Sequence, residues 1–66
     1  MNKLRELRSE RVISQADLAA EVDCDRSTIS YFENEKCMLS VGLAIRIADF
    51  FDVSIDYLLG RSEKRK

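Results

Sequence analysis

Residues 25–34, with the sequence DRSTISYFEN, place hydrogen-bonding side chains at helical spacing. At roughly 100° per residue, one side of a helix would carry guanidinium, hydroxyl and amide groups, from Arg26, Ser27, Ser30, Tyr31 and Asn34. The other side carries a narrow apolar stripe, Ile29 and Phe32. A helix that is merely solvated more often has Glu and Lys outside, because these residues form helices well. The polar side is therefore either an ordinary solvated face or a surface suited to base edges in a DNA major groove.

The residue types needed for most catalytic and metal chemistry are missing. The chain has no histidine, no glycine-rich phosphate loop and no nucleophile-elbow pattern. Its two cysteines, Cys24 and Cys37, do not indicate a disulfide framework in a chain expected to be cytosolic. A zinc site built on them would need carboxylates as the other ligands, which is an unusual set. The two cysteines are more typical of small, partly buried apolar groups. We therefore expect no catalysis, no cofactor and no metal.

Capping residues indicate five helices. Proline and alternating β-branched runs are absent, which favours an all-α fold. The helices are expected to start at Asn2, Ser14, Asp25, Ser40 and Ser54. Asp17 completes a capping box behind Ser14, and Gly60 suits a left-handed cap at the end of the last helix. We expect one domain over residues 1–60 and a charged flexible tail over 61–66.

The second and third predicted helices form a distinctive pair. SQADLAAEV and RSTISYFENE are separated by only DCD, and the third helix is expected over residues 26–35. A short helix joined by a tight turn to a second helix with a polar outer face is typical of a helix-turn-helix.

The segment from Leu4 to Leu59 resembles the Cro/phage-repressor helix-turn-helix family, also called the XRE family. The resemblance is carried, in order, by LRELR, SQADLA, DRSTISYFENEK and IADFFDVSIDYLL. It implies a compact five-helix repressor-type domain that binds double-stranded DNA and regulates transcription. In this family the third helix enters the major groove, generally as part of a homodimer on a palindromic operator. Nothing in the chain resembles a separate effector domain, so we expect no small-molecule ligand.

The resemblance also implies roles for individual residues. The positions that contact DNA bases are Arg26, Ser27, Thr28, Ser30 and Tyr31. The positions that contact phosphates are Gln15, Asn34 and Lys36. A structural ion pair between the first and third helices falls on Arg8 and Glu33. Two glycines usual in the family are replaced, by Asp23 in the turn and by Glu35 after the third helix, so the third helix is expected to end differently or run longer.

The fourth helix, VGLAIRIADFF, has more apolar surface than one core requires. Its apolar residues spread over about 220° of the helix, whereas a helix facing a single core needs a stripe of about 100°. The surplus, Leu43, Phe50 and Ile45, with Tyr57 as a neighbour on the fifth helix, predicts a homodimer interface. Met38 and Leu39, in the loop before this helix, would extend either the core or the interface. Ordinary exposed apolar surface is the alternative.

The charge and hydropathy of the chain restrict its partners. No run approaches the roughly 18 apolar residues of a membrane span and no signal-peptide core begins the chain, so we expect a cytoplasmic protein that does not enter membranes.

The net charge is −1, and residues 12–60 hold three basic and nine acidic side chains. Because Lys and Arg supply most nonspecific DNA affinity, this balance predicts weak nonspecific binding. It also keeps open an alternative function, a helix-turn-helix adaptor that binds proteins without reading DNA.

Overall fold

The computed structural model describes residues 1–66 and contains five α-helices and no strand. The helices are α1 Leu4–Arg11, α2 Gln15–Val22, α3 Arg26–Glu33, α4 Val41–Phe51 and α5 Ile55–Leu58. The predicted all-α fold with five helices is confirmed. None of the five helices has the length and apolar character that crossing a membrane requires.

Three serines begin helices as the sequence predicts. Ser14, Ser40 and Ser54 have extended backbone, and each hydroxyl accepts a hydrogen bond from the amide three residues later. At Ser14 the capping box is complete, because its own N–H donates to the Asp17 carboxylate at 3.2 Å. These contacts satisfy N–H groups that have no partner inside the helix, so α2, α4 and α5 have well-defined starts.

The other two predicted caps differ from expectation. Helix α1 has Lys3 at its cap position, although Asn2 Oδ1 still accepts a hydrogen bond from the Leu4 N–H at 3.1 Å. Asp25 does occupy the cap position of α3, but its side chain makes no capping hydrogen bond. Helix α3 ends at Glu33, two residues earlier than predicted, because the backbone of Glu35 turns into the left-handed region with φ of 62°.

The core takes one completely buried large side chain from each helix. These residues are Leu4, Leu18, Ile29, Ile47 and Leu58, all 0% exposed. Burying an aliphatic side chain of this size stabilises a fold by about 1.5–3 kcal/mol relative to leaving it in water. Helix α2 packs on both α3 and α4, and α4 also packs on α5. The position of α3 therefore depends on α2, and that of α2 on α4.

Four residues other than glycine have left-handed backbone, each at or just beyond the end of a helix. They are Val12, Asp23, Glu35 and Asp52, with φ between 55° and 62°. Aspartate tolerates this conformation better than most residues, whereas a β-branched valine rarely adopts it. Gly60 is also left-handed, as predicted for the end of α5, and a Cβ there would lie 1.9 Å from the Met1 carbonyl oxygen. Position 60 therefore requires glycine.

The C-terminal tail lies against the domain. The Ser54 N–H donates to the Arg65 carbonyl, and the Arg65 guanidinium pairs with the Glu10 carboxylate through two hydrogen bonds. Lys66 pairs with Asp52 at 2.7 Å. The hydrogen bond from Arg65 holds the pKa of Glu10 below its ordinary range. The tail that was expected to be flexible thus has defined contacts, because its basic side chains meet acidic groups at the ends of α1 and α4.

The predicted dimer interface needs correction at two of its residues. Leu43 and Tyr57 are each only 6% exposed and belong to the core. Phe50 is half-buried, edge-on to Phe51 with ring centroids 5.0 Å apart, and the Arg11 guanidinium lies 5.0 Å from its ring. The broad apolar arc of α4 arises because α2 and α5 both pack on this helix.

Of the surplus apolar residues on α4, Ile45 is the exposed one, and Val41 joins it. Val41 is 76% exposed and Ile45 is 43% exposed, one helical turn apart on the same face. Met38, in the loop before α4, is 74% exposed.

Candidate nucleic-acid interface

Helix α3 presents three polar side chains to solvent. Arg26 and Ser27 in its first turn are exposed, and Tyr31 one turn later is 54% exposed. None of the three side chains forms a hydrogen bond or an ion pair within the chain. Thr28 and Ser30 are half-buried at the sides of this surface. The face has the donors and acceptors that direct recognition of base edges uses, and they are not committed elsewhere.

The opposite side of α3 is fixed in the core. Ile29 is 0% exposed and Phe32 is 2% exposed, as the apolar stripe in the sequence indicates. Helix α3 packs mainly on α2, and the small side chain of Ala19 on α2 is buried at 4% exposure. Because the apolar side of α3 is fixed in the core, its polar face must point away from the core.

The turn between α2 and α3 depends on Asp23. This residue has φ 57° and ψ 58°, a left-handed conformation at the position where the resemblance led us to expect glycine. The next amide, that of Cys24, then donates to the Ala19 carbonyl at 2.9 Å. The replacement therefore preserves the tight turn, because aspartate accepts a left-handed backbone more readily than most residues.

Glu33 is the only buried charged residue in the domain, and its side chain is wholly inaccessible to solvent. Its Oε2 accepts a hydrogen bond from Arg8 Nε at 2.6 Å. Its Oε1 accepts from Arg8 Nη2 at 3.0 Å and from Gln15 Nε2 at 3.1 Å, with Arg5 Nε at 3.5 Å. No buried side-chain polar atom in the chain lacks a partner. One carboxylate therefore joins α1, the start of α2 and the end of α3.

The charge on Glu33 is maintained by these neighbours. Burial alone would raise the pKa of Glu33, but hydrogen bonds from Arg8, Gln15 and Arg5, together with the positive charge of Arg8, hold it below its ordinary value. The hydrogen bond to Glu33 in turn raises the pKa of Arg8. Both groups are therefore ionised at neutral pH, and the orientation of α3 depends on a charged pair.

The three residues predicted to contact phosphates differ in their surroundings. Gln15, at the first residue of α2, is half-buried and its amide donates to Glu33. Asn34 is exposed, and its Oδ1 accepts from Arg5 Nη2 at 3.2 Å. Lys36 is exposed and forms no ion pair. A primary amide has two N–H groups and a carbonyl oxygen, so both amides retain hydrogen-bonding capacity toward a ligand.

Two residues of the N-terminal segment hold the end of α3 and were not predicted to do so. Asn2 Nδ2 donates to the Phe32 carbonyl at 2.7 Å. Arg5 reaches both Glu33 and Asn34. These partners lie 28 to 30 residues apart in sequence, so no local pattern indicates the contacts.

The α2–turn–α3 pair, seated on three further helices and exposing an uncommitted polar face, defines a helix-turn-helix domain. The family described as "Helix-turn-helix" matches residues 4–58, and the chain belongs to this family. Among curated proteins, the chain is similar to the "HTH-type transcriptional regulator PrpR" of Mycobacterium tuberculosis (strain ATCC 25618 / H37Rv), with 32% identity over 63 residues. The match covers 96% of this chain and only 13% of that protein. The family resemblance read from the sequence is confirmed.

Proposed function

We propose that the chain is a sequence-specific, DNA-binding regulator of transcription that inserts α3 into the major groove of double-stranded DNA. The observation that carries this proposal is the pairing of two features on one helix. Arg26, Ser27 and Tyr31 are exposed and have no partner in the chain, whereas Ile29 and Phe32 on the opposite side are fixed in the core. The helix-turn-helix family and the name of the mycobacterial relative support the same function.

The side chains on α3 suit distinct parts of a base pair. Arg26 can donate two hydrogen bonds to guanine O6 and N7, the commonest specific contact in the major groove. The Ser27 and Tyr31 hydroxyls can donate or accept, and the Tyr31 ring can contact a thymine methyl group. Thr28 and Ser30, half-buried at the sides of α3, are placed for flanking bases or the sugar–phosphate backbone.

Phosphate contacts would set the position of α3 in the groove. Gln15 is held by Glu33 through one amide hydrogen, which leaves the second N–H for a phosphate in a preset orientation. Asn34 and Lys36 would extend these contacts beyond the end of α3. Glu35 lies between them in sequence and is also exposed, so its negative charge limits the gain from Lys36.

The functional unit we propose is a homodimer on a palindromic operator. A chain with net charge −1 has little nonspecific affinity for DNA, and a second copy doubles the number of base contacts. Val41 and Ile45 on the exposed face of α4, with Met38 nearby in sequence, are the apolar surface available for this contact. They replace Leu43 and Tyr57, which are buried.

Selection of bound sequences from a random pool of double-stranded DNA tests the proposal. We expect enrichment of a palindromic site whose two halves are one helical turn of DNA apart, or a multiple of it. The competing function is the protein-binding adaptor, which the acidic groups near α3, Asp25 and Glu35, favour. A pool that shows no enrichment at low salt would support the adaptor and contradict DNA reading.

A further inference from the structure

Arg46 connects α4 to the turn of the helix-turn-helix. Its Nε–H donates to the carbonyl oxygen of Val22 at 2.9 Å, across 24 residues of sequence. Val22 is the last residue of α2, and the carbonyls at the end of a helix have no partner within that helix. The Val22 side chain is 2% exposed and fixed in the core. The hydrogen bond therefore caps the C-terminal end of α2 with a side chain from a neighbouring helix.

The surroundings of Arg46 favour this arrangement. The Arg46 guanidinium lies over Gly42, one turn earlier on α4, where a Cβ would be in ordinary van der Waals contact with Nη1 at 3.6 Å. Burial raises the pKa of the nearby Cys24 thiol, Asp25 and Asp23 raise it further, and the positive charge of Arg46 opposes the rise. Arg46 thus supplies both a donor and a positive charge to a turn that carries two aspartates.

We propose that Arg46 is a positioning residue that sets the angle at which α3 is presented to DNA. The inference rests on the proposed function of α3. Helix α4 packs on α2 and α2 packs on α3, so a bond from α4 to the last residue of α2 acts at the joint between the two helix-turn-helix elements. Arg46 itself need not contact DNA for its loss to weaken base recognition.

The test compares Arg46→Met, which keeps an apolar stem but removes donor and charge, with Arg46→Lys, which keeps a charged donor. Arg61→Met is the matched control, because Arg61 is exposed and its side chain forms no ion pair. The first readout is hydrogen exchange at the Cys24 amide, which donates to the Ala19 carbonyl in the turn. The internal reference is the Val53 amide, which makes the equivalent 2.9 Å bond at the end of α4. The second readout is affinity for the selected DNA site and for a scrambled duplex.

In Arg46→Met we expect exchange at Cys24 to accelerate about fivefold relative to Val53, the effect of losing one typical hydrogen bond. Affinity for the selected site should fall by a similar factor, while affinity for the scrambled duplex falls only as far as in Arg61→Met. Arg46→Lys should recover part of both losses.

An unchanged ratio of Cys24 to Val53 exchange in Arg46→Met would overturn the proposal. The ratio is unchanged either when neither amide exchanges faster or when both accelerate equally, and equal acceleration would indicate general destabilisation. If the wild-type chain selects no DNA sequence, the proposed function fails. The exchange ratio, measured without DNA, then still decides whether Arg46 holds the turn.

Discussion

The Arg8 guanidinium holds the Glu33 carboxylate with two hydrogen bonds, of 2.6 and 3.0 Å, between residues 25 positions apart. Because the Glu33 side chain is completely buried, the loss of hydration offsets much of the attraction, and the principal effect of the pair is orientation. Arg8 Nη1 also donates to the Ile13 carbonyl at 2.9 Å, just before α2. The pair therefore fixes the chain at both ends of the helix-turn-helix.

Removal of Arg8 should strongly destabilise the domain. Arg8→Met leaves the Glu33 carboxylate buried without its main partner, and we expect a loss of about 3–5 kcal/mol in the free energy of unfolding. Arg5→Met is the control, because Arg5 approaches the same carboxylate at 3.5 Å with its side chain 62% exposed, and exposed pairs contribute about 0–1 kcal/mol. Urea denaturation of both variants measures the difference. Equal losses would show that the buried pair has no special role.

Acid should weaken the domain through Glu33. Its pKa is lowered in the folded state, so the unfolded chain takes up the proton more readily as the pH falls. The contribution of Glu33 is fully present above the unfolded pKa of about 4.3 and is lost as the pH falls through the folded pKa. Glu33→Gln should be less stable at neutral pH and should lose less stability in acid. Parallel pH dependences of the two urea midpoints would contradict the assignment.

Arg26 and Lys36 should respond differently to replacement if α3 reads bases. Arg26→Ala should cost about 1–3 kcal/mol on the preferred site and relax the preference at one base position. Lys36→Ala should weaken binding to all sequences by a similar factor. It should also reduce the slope of log affinity against log salt concentration by about one. Binding measured over a set of single-base operator variants at two salt concentrations separates the cases. A uniform loss for Arg26→Ala would make Arg26 a phosphate contact.

The exposed face of α4 can be tested for self-association. Ile45→Glu should give a folded monomer, because Ile45 is already 43% exposed, and it should weaken operator binding. Val12→Glu is a matched control, since Val12 is an apolar residue 90% exposed outside α4. Phe50→Asp should instead destabilise the fold, because Phe50 packs on Phe51 beneath Arg11. Sedimentation equilibrium measures self-association of both variants. If Ile45→Glu and Val12→Glu self-associate equally, the exposed face of α4 is not the dimer interface.

Replacement of Val12 by glycine should stabilise the domain. Val12 has φ 55° at the end of α1, a conformation that costs a residue with a Cβ about 1–2 kcal/mol, and its exposed side chain gains little from packing. Because glycine loses more entropy on folding, we expect a net gain of about 1 kcal/mol, or roughly 4–8 °C in melting temperature. Asp52→Gly should gain less, since aspartate tolerates the left-handed region better. A lower melting temperature for Val12→Gly would refute this expectation.

The helix starts and the apolar side of α3 could be predicted because their signals are local. Ser14 caps α2 through residues within one turn of it, and Ile29 and Phe32 share a side by helical periodicity alone. The end of α3 was harder to predict. Glu35 takes the left-handed conformation that glycine usually provides. The sequence therefore has no glycine to indicate where the helix ends.

The proposed dimer surface and the supports of α3 depend on contacts that periodicity does not encode. A helical wheel gives the direction of Leu43 but not the presence of α2 and α5 around α4. Arg46 and Arg61 are equally plausible surface residues in the sequence, yet only Arg46 reaches a carbonyl on another helix. Asn2 and Arg5, near the start of the chain, contact the end of α3. These residues are far apart in sequence and come together only in the folded domain.

The left-handed residues at the helix ends also affect the resistance of the protein to proteolysis. Val12, Glu35 and the two aspartates hold a conformation that glycine would adopt without steric cost, so these residues reduce the margin of stability of the folded domain over its unfolded form. Any partner that binds only the folded form increases that margin by mass action. Free copies should therefore be digested by proteases faster than copies bound to an operator, and the steady-state amount of protein would follow the number of occupied sites.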